Sequence, residues 1–546
     1  MFLDRAKRTP DLVAMRHKSG ETWNPITYKE YADAARDVAN GLIMLGVEKG
    51  DCVALLSKSR PEWLITDFGV MMTGGATAPI YVTNSAPQAA YVVRHCEAPI
   101  AIVEDQEQLD KIMKEWGDLP SLEKVVVMSG EGTSADERII PFEELRRLGR
   151  EYGAANPAVL GESIAGLAAE DLATIIYTSG TTGDPKGAML THANGVQTLM
   201  ATSMLGLKDG MERWLTYLPL SHIFERLITV WGGAFYGGEV WFAESVDKIR
   251  DNLGECHPTF FTGVPRVYEK FYIGVTKKLA EEHGVKRKLI DASLEAAMER
   301  VRLEQAGAPI PSGLRTRLNV LDKLVLSKVR HGLGMDKVHL AISGAAPLAP
   351  EIIRFIHAVG IPLAEGYGLT ETTAPVSVNP PEKIRIGTVG PPIPCCEVRL
   401  DSDGEILVKG GNVFAGYFRN EQATKDAFTE DGFFRTGDIG SLDDDGYLRI
   451  TDRKKDMFKT SNGKYVAPSA LAATFKGICP YVGELIVDGE GKSYCVALIS
   501  LDAESIEEWA KNNNLGGKSL AEIANAQETR NLIGGYVEEL NAGLNR

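Results

Sequence analysis

Residues 172–187 read Leu-Ala-Thr-Ile-Ile-Tyr-Thr-Ser-Gly-Thr-Thr-Gly-Asp-Pro-Lys-Gly. The apolar run Leu172–Tyr177 predicts a buried strand, and the segment Tyr177–Gly187 predicts the loop that leaves it. Glycine allows positive φ and a close backbone approach, the hydroxyls add hydrogen-bond donors, and Lys186 adds a positive charge. We interpret this segment as a loop that cradles the phosphates of a nucleotide.

The spacing of this loop differs from that of the Walker A motif. That motif places Lys directly after Gly and before Ser or Thr, whereas Asp184 and Pro185 precede Lys186 here and Gly187 follows it. A P-loop motor or kinase is therefore disfavoured. A polar surface loop without a ligand is the remaining structural alternative.

Alternation of apolar β-rich runs with helical patterns predicts the fold class. Strands are predicted at Asp51–Leu56, Thr77–Val82 and Ile100–Val103, and helices at Pro61–Met72 and, directly after the loop, at Met189–Met200. Such alternation indicates an α/β fold of layered, largely parallel β-sheets with helices between them.

The second half of the chain changes character twice. Lys, Glu, Ala, Leu and Arg dominate Val267–Leu333, which predicts surface helices joined by a turn at Gly307–Gly313. Short strands with Gly and Asp turns follow, and the charged stretch Asp452–Asp456 predicts a hinge. We therefore expect a large N-terminal domain over residues 1–451 and a small, mobile C-terminal α/β domain over residues 452–546.

Composition narrows the functional classes. The formal net charge of −15, without an evident basic stripe, disfavours nucleic acid as a partner. The seven cysteines are scattered and form no Cys-x-x-Cys, so we expect no disulfide or zinc framework and a cytoplasmic location. No signal peptide begins at Met1 and no apolar run reaches the length of a membrane span, whereas peripheral membrane contact and the oligomeric state stay open.

Three further motifs follow the loop along the chain. They are Ser343-Gly-Ala-Ala-Pro-Leu348, Glu365-Gly-Tyr-Gly-Leu-Thr-Glu-Thr372 and Arg435-Thr-Gly-Asp438. Together with the loop they resemble, over nearly the whole chain, the adenylate-forming superfamily of acyl-CoA synthetases, luciferases and nonribosomal adenylation domains. The resemblance implies activation of a carboxylic acid by ATP, with Mg²⁺ as the metal and coenzyme A as the second substrate.

The second of these motifs contains groups suited to a nucleotide. Tyr367 lies between two glycines and offers a flat face to adenine, Thr370 can donate to the α-phosphate, and Glu371 is a hard oxygen ligand for Mg²⁺. The resemblance makes Thr178 the partner of Glu371 at the metal.

The resemblance also implies contacts with the ribose and a hinge. Asp438 would accept from both ribose hydroxyls, Arg453 would be the second ribose contact, and Lys455 would be the hinge position. The implied nucleotide-binding set comprises Thr178, Ser179, Gly180, Thr181, Thr182, Lys186, Gly344, Ala345, Ala346, Glu365, Gly366, Tyr367, Gly368, Asp438, Arg453 and Lys455.

The implied catalytic residues are His222, Thr370, Glu371 and Lys459. The resemblance places His222 beside the acyl carboxylate and the pantetheine tunnel. Lys459 and the segment around Gly463, a predicted substrate contact, would approach the site in the thioester-forming orientation. A structural histidine and a solvated surface lysine are the alternatives from the residues alone.

The acid is expected to be a long-chain fatty acid. Phe261–Lys270 and the helical stretch that runs from it to Gly334 resemble the bacterial long-chain fatty acyl-CoA synthetases. Gly263 and Gly344 would leave room for the chain, and Trp231 would line or gate its entry. An apolar tunnel would bind the chain with about 0.8 kcal/mol per buried CH₂.

The sequence departs from the superfamily in one respect. The superfamily carries an adenylation lysine near its C-terminus, in a Leu-Thr-Pro-…-Lys type of segment, and no such segment follows Gly463. We therefore expect a C-terminal domain without its usual final segment. Either the chain is a fragment, or it lacks the usual adenylation lysine. Such a form would bind ATP and acyl-AMP but would make acyl-AMP slowly.

Two other functions are compatible with parts of this pattern, and a third is disfavoured. A fatty-acyl-AMP ligase would pass the acyl group to a carrier protein, and a catalytically impaired form would only bind acyl or nucleotide ligands. A serine hydrolase is disfavoured because no Gly-x-Ser-x-Gly occurs. The motifs do not give the preferred chain length.

Overall fold

Strands and helices alternate along the described residues, 1–129, 136–178 and 184–544, of this computed structural model. The strands are β1 (Val13–Ser19), β2 (Thr22–Thr27), β3 (Cys52–Leu56), β4 (Ala76–Ile80), β5 (Ile100–Val103), β6 (Lys124–Val127), β7 (Ile139–Pro141), β8 (Leu172–Thr178), β9 (Lys186–Thr191), β10 (Arg213–Thr216), β11 (Glu239–Phe242), β12 (Phe260–Gly263), β13 (Leu340–Ser343), β14 (Leu363–Leu369), β15 (Ala374–Val378), β16 (Cys396–Leu400), β17 (Glu405–Gly410), β18 (Gly416–Tyr417), β19 (Phe434–Leu442), β20 (Leu448–Arg453), β21 (Phe458–Lys459), β22 (Tyr465–Val466), β23 (Val482–Asp488) and β24 (Val496–Leu501). The helices are α1 (Phe2–Arg8), α2 (Tyr28–Met44), α3 (Pro61–Thr73), α4 (Ala86–His95), α5 (Gln106–Lys114), α6 (Phe142–Ala155), α7 (Val159–Ala165), α8 (His192–Ala201), α9 (Ile223–Arg226), α10 (Gly233–Tyr236), α11 (Ile249–Cys256), α12 (Pro265–Ala280), α13 (Gly284–Gln305), α14 (Ser312–Leu321), α15 (Ser327–Gly332), α16 (Pro350–Val359), α17 (Glu421–Asp426), α18 (Pro468–Ile478), α19 (Ala503–Lys511), α20 (Leu520–Asn525) and α21 (Gln527–Gly543).

The largest sheet confirms the predicted α/β class. Its strand order is β18-β9-β8-β4-β3-β5-β6-β7, and the six strands from β8 to β7 run parallel. Strands β3, β4 and β5 are buried over their whole length. Helices α2 and α3 pack on one face and α4 and α5 on the other, which explains why these strands are apolar on both faces.

The predicted nucleotide loop connects two antiparallel strands. β9 pairs with β8, and Thr178 lies opposite Lys186. The predicted helix Met189–Met200 is therefore wrong in its first residues, because α8 begins only after Thr191. The Thr191 hydroxyl accepts from the backbone N–H of Asn194, and this capping box fixes the start of the helix. A short apolar run such as this fits a strand or a helix by periodicity alone.

A second sheet, β12-β13-β14-β15, brings two of the motifs together. β13 and β14 are parallel, and Ser343 lies opposite Glu365. The motifs that begin at these two residues therefore emerge side by side at the carboxyl end of their strands, where ligands of α/β proteins bind. A third sheet has the order β10-β11-β1-β2.

The predicted surface helices are α12, α13, α14 and α15. α13 ends before the Gly307–Gly313 turn and α14 begins within it, as the glycines and prolines indicate. A π-helical turn, Asp322–Leu326, joins α14 to α15 without a break. Within the described ranges, no helix is long and apolar enough to cross a membrane.

The chain ends in a smaller C-terminal unit, as predicted. The sheet β16-β17-β19-β20 leads into it, and β20 ends at Arg453, inside the stretch predicted as a hinge. The hairpins β21–β22 and β23–β24 and the helices α18 to α21 follow. Arg266 on α12 pairs with Asp502 at the start of α19, so the two units are in contact. The boundary at residue 452 stays a prediction.

Candidate active site

A cavity of about 1100 Å³ lies where the motifs converge. Strands β8, β9, β14 and β20 supply polar residues to its wall, and the turn after β13 supplies Gly344 and Ala345. The predicted residues on the wall are Thr178, Lys186, His222, Gly344, Ala345, Gly366, Tyr367, Gly368, Thr370, Glu371, Arg453 and Lys455. The predicted residues Ser179, Gly180, Thr181 and Thr182 lie outside the described part of the chain.

Asp438 is buried and lies off the cavity wall, but two residues that line the wall, Tyr367 and Arg453, donate hydrogen bonds to it. It lies opposite Arg453 in the β19–β20 ladder. The Tyr367 hydroxyl donates to Oδ2 over 2.6 Å, and Arg453 Nε donates to Oδ1 over 3.0 Å. Burial raises the pKa of Asp438, and the Tyr367 hydroxyl and the Arg453 charge oppose that rise. Each carboxylate oxygen has a second lone pair, so the oriented group can still accept from the hydroxyls of a ribose.

Tyr417 links two other predicted residues. Its hydroxyl donates to Glu371 Oε1 over 2.8 Å, and Lys186 Nζ lies 5.1 Å from the centre of its ring. Tyr417 is on β18, which pairs with β9 beside the loop. It therefore orients a carboxylate through its hydroxyl and supports a cation through its ring. The sequence motifs did not point to this residue.

Thr178 and Glu371 form a donor set that suits Mg²⁺. Both line the cavity, and the second oxygen of Glu371 accepts no hydrogen bond from the described residues. The Thr178 hydroxyl makes only a long contact, 3.4 Å, with the Lys186 carbonyl oxygen. Mg²⁺ is held by one or two protein oxygens together with waters and phosphate oxygens, so these two residues fit that role.

His222 is a neutral hydrogen-bond donor at the cavity wall. Its Nδ1 accepts from the backbone N–H of Phe224 over 3.2 Å, at the start of α9. Burial lowers the pKa of His222, so the ring is uncharged near neutral pH. With Nδ1 as the acceptor, the proton lies on Nε2, which can donate to a carboxylate oxygen.

Part of the cavity wall is apolar. The residues there are Leu199, Leu205, Leu207, Trp214, Leu227, Ile228, Tyr236, Phe260 and Ile342. A π-helical turn, Leu227–Gly232, continues α9 and presents three of its residues to the cavity; such turns are frequent at functional sites. The Tyr236 hydroxyl lies 3.1 Å from that of Thr202, so its polar atom is satisfied. We call this part of the cavity the apolar chamber.

Two predicted acyl contacts lie away from the chamber. Trp231 is buried in the core, and the guanidinium carbon of Arg226 lies 5.3 Å from the centre of its ring. A Cβ atom on Gly263 would lie 3.0 Å from the Tyr217 hydroxyl and 3.0 Å from the Tyr268 ring. The space beside Gly263 is therefore filled by tyrosine side chains. The acyl-binding roles of Trp231 and Gly263 stay predictions.

Other predicted residues also lie off the cavity wall. Lys459 and Gly463 are exposed on the β21–β22 hairpin, with Lys459 Nζ 5.1 Å from the centre of the Tyr465 ring. Ala346 is exposed beside the wall. Glu365 also lies off the wall, and burial raises its pKa to about 7. Of the two predicted lysines beyond residue 451, Lys455 lines the cavity in this arrangement and Lys459 does not.

These features define a class of protein, an α/β nucleotide-binding enzyme whose nucleotide site opens into an apolar chamber. The chain belongs to the AMP-binding enzyme family, whose model matches residues 2–418. The resemblance to the adenylate-forming enzymes is thereby confirmed.

Relatives and solved structures agree with this assignment. The chain is 36% identical over 550 residues to the long-chain-fatty-acid–CoA ligase FadD15 of Mycobacterium bovis, covering 100% of this chain and 88% of that protein. It is 33% identical over 514 residues to the long-chain-fatty-acid–CoA ligase ACSBG2 of Xenopus laevis, covering 92% of this chain and 69% of that protein. The structure of the anthranilate CoA ligase AuaEII in complex with anthranoyl-AMP matches with a TM-score of 0.71 at 22% identity, covering 98% of this chain and 90% of that chain. The two proteins therefore share a fold.

Proposed function

We propose that this protein is a long-chain fatty acid–CoA ligase, which converts a fatty acid and ATP to acyl-AMP and then transfers the acyl group to coenzyme A. The observation that carries the proposal is one cavity whose wall contains both the nucleotide motifs and an apolar chamber. Relatives named as long-chain-fatty-acid–CoA ligases, matched over 92% to 100% of this chain, support the same substrate class.

In the first step, a carboxylate oxygen of the fatty acid attacks the α-phosphorus of ATP, and the bond to pyrophosphate breaks. Both reactants are anions, so their approach needs positive charge and donors in place. We assign the His222 Nε2–H to the carboxylate and the Thr370 hydroxyl and the Lys186 charge to the phosphates. Mg²⁺ bound by Glu371 and Thr178 would supply further charge neutralisation.

In the second step, the thiolate of coenzyme A attacks the acyl carbon and AMP leaves. Asp438 and Arg453 keep the nucleotide in place through its ribose. Rotation of the C-terminal unit about Lys455 would bring Lys459 and Gly463 to the thioester-forming site, because both lie on an exposed hairpin just beyond that residue. A cytoplasmic location fits the seven cysteines, all of which are free thiols.

The test is product identification with palmitate, ATP, MgCl₂ and coenzyme A. We expect AMP and palmitoyl-CoA in equal amounts, read by chromatography and mass spectrometry. Glu371→Gln should lose most of this activity, whereas Glu430→Gln, the same change at an exposed site, should not. Acyl-AMP without acyl-CoA, and transfer to a carrier protein instead, would identify an acyl-AMP ligase. Binding of ATP and palmitate without turnover would identify a binding module and overturn the proposal.

A further inference from the structure

Three side chains of the types that bind transition metals meet away from the cavity. His257 Nδ1 lies 2.5 Å from Asp336 Oδ1, and His331 Nδ1 lies 3.6 Å from Asp336 Oδ2. The two imidazole rings are stacked, with their centres 5.4 Å apart and an angle of 21° between their planes. One ligand atom of each residue lies within 4.8 Å of the other two. We call His257, His331 and Asp336 the His–Asp–His cluster.

Backbone packing holds the three residues together. His257 follows α11 in the left-handed conformation, at φ 45°, where glycine is the usual residue at a helix end. Gly334 lies between His331 and Asp336 in the chain, and a Cβ atom on it would be 2.3 Å from the Leu253 carbonyl carbon of α11. The turn that carries two members of the cluster is therefore pressed against the helix end that carries the third. This close approach sets the cluster in place before any ligand binds.

The cluster lies at the other end of its strands from the nucleotide motifs. His257 precedes β12 and Asp336 precedes β13, and these two strands are parallel. The nucleotide wall begins after the carboxyl end of β13, at Gly344. His257, His331 and Asp336 are all absent from the cavity wall. An ion held by the cluster would therefore not contact a nucleotide in the cavity.

The donor set selects a class of metal ion. Imidazole nitrogen suits Zn²⁺ and its neighbours among the transition metals, whereas Mg²⁺ and Ca²⁺ prefer oxygen ligands alone. Tetrahedral zinc, with bonds of about 2.0–2.2 Å, places its ligand atoms about 3.3 Å apart. The two distances to Asp336, 2.5 Å and 3.6 Å, lie on either side of this value. His331 is 71% exposed, so an ion can enter from solvent and a water can complete the coordination.

An ion pair without a metal explains only part of the cluster. One protonated histidine and Asp336 would form such a pair, which accounts for His257. A second protonated ring stacked on the first would repel it, and an unprotonated Nδ1 of His331 would direct its lone pair at a carboxylate oxygen. A cation among the three side chains removes both conflicts, because it replaces the proton between His257 and Asp336 and accepts the lone pairs of both rings.

We propose that the His–Asp–His cluster is a binding site for Zn²⁺, with three protein ligands and one water. The ion joins the end of α11 to α15 and to the turn before β13, and so stabilises the folded state. The cysteine pattern does not predict such a site, because its ligands are histidine and aspartate, and His257 and Asp336 are 79 residues apart. The proposal does not rest on the proposed function.

The test is calorimetric titration of the whole chain with ZnCl₂, after treatment with EDTA and in millimolar Mg²⁺, which occupies sites built of oxygen alone. We expect one zinc ion to bind at the cluster, and Tm should rise with zinc concentration. His331→Gln removes one ligand at an exposed position and should weaken this binding at least about 10-fold, with most of the rise in Tm lost. Asp336→Asn should have the same effect on both measurements.

The matched control removes an exposed histidine elsewhere. His283 lies outside the cluster, so His283→Gln should bind zinc like the unmodified chain. Equal circular dichroism spectra of His283→Gln and His331→Gln without zinc show that both variants fold. Glu371→Gln should also keep its zinc affinity, which separates this site from the metal site expected in the cavity.

Three results would overturn the proposal. The first is equal zinc affinity of His331→Gln and His283→Gln. The second is a thiolate charge-transfer band with Co²⁺ in place of zinc, which would identify binding by a cysteine such as the exposed Cys495. The third is no zinc binding by the unmodified chain.

Discussion

Removal of the Tyr417 hydroxyl tests how the polar half of the site is held. In Tyr417→Phe the ring below Lys186 Nζ remains, whereas Glu371 loses the donor at 2.8 Å. A hydrogen bond to a charged group contributes about 1.5–3 kcal/mol. If Glu371 must be oriented for the first step, kcat/KM should therefore fall about 10- to 100-fold, with tenfold per 1.4 kcal/mol.

Steady-state AMP release with palmitate and coenzyme A measures this effect. The fall should lie mainly in kcat, and the Mg²⁺ concentration for half-maximal rate should rise, because Glu371 is the expected metal ligand. Tyr447→Phe is the control, since it removes a hydroxyl that donates to the Lys383 carbonyl oxygen away from the cavity. A kcat/KM of Tyr417→Phe within twofold of that control, with an unchanged Mg²⁺ response, would show that Tyr417 does not orient Glu371 for catalysis.

Three further predictions concern one buried residue of α9, Glu225, and two parts of the cavity wall. Burial raises the pKa of Glu225 to about 7 from 4.5, so the folded state binds a proton that the unfolded state releases, and the free energy of unfolding should fall by about 3 kcal/mol as pH rises from 4.5 to 7. Glu225→Gln should remove this fall and raise Tm at pH ~8 above that of the unmodified chain. An unchanged slope of Tm against pH in this variant would contradict the prediction. Gly368→Ala should prevent correct folding of the nucleotide motif, because its Cβ would lie 1.5 Å from the Ala374 carbonyl oxygen. Gly344→Ala should be tolerated, because the nearest atom to its Cβ would be 3.5 Å away. Equal yields and equal ATP affinity of the two variants would argue against the close approach of Gly368 to Ala374. Leu205→Trp should fill the apolar chamber and move the preferred acid to shorter chains in an activity panel, and an unmoved preference would remove Leu205 from the acyl site.

The sequence predicted the nucleotide half of the site because that half is local. Glycine and hydroxyl residues at fixed spacing define turns and donors within one segment, and Tyr367, Glu371 and their neighbours do reach one cavity. The same reasoning predicted the strand before the loop. It misassigned Met189–Thr191, because the pairing of β9 with β8 is a non-local hydrogen-bond pattern that periodicity does not report.

The acyl half of the site could not be predicted in the same way. The chamber residues come from separate helices and strands between residues 199 and 342, and no motif joins them. Trp231 was expected at the chamber, but the cation Arg226 lies over its ring inside the core. Tyr417 was missed because its role depends on a contact with Glu371 that only the fold creates.

In the proposed function, one cavity holds a nucleotide and a long acyl chain together. Calorimetry with acetyl, octanoyl and palmitoyl sulfamoyl adenosines, which mimic acyl-AMP and need no turnover, tests it directly. Because each buried CH₂ contributes about 0.8 kcal/mol, affinity should rise roughly tenfold for every two carbons until the apolar chamber is full. All three should compete with ATP, and Leu205→Trp should weaken the palmitoyl compound alone. An acetyl compound that binds as tightly as the palmitoyl compound, or a palmitoyl compound that binds without displacing ATP, would show that the two ligands do not share this cavity.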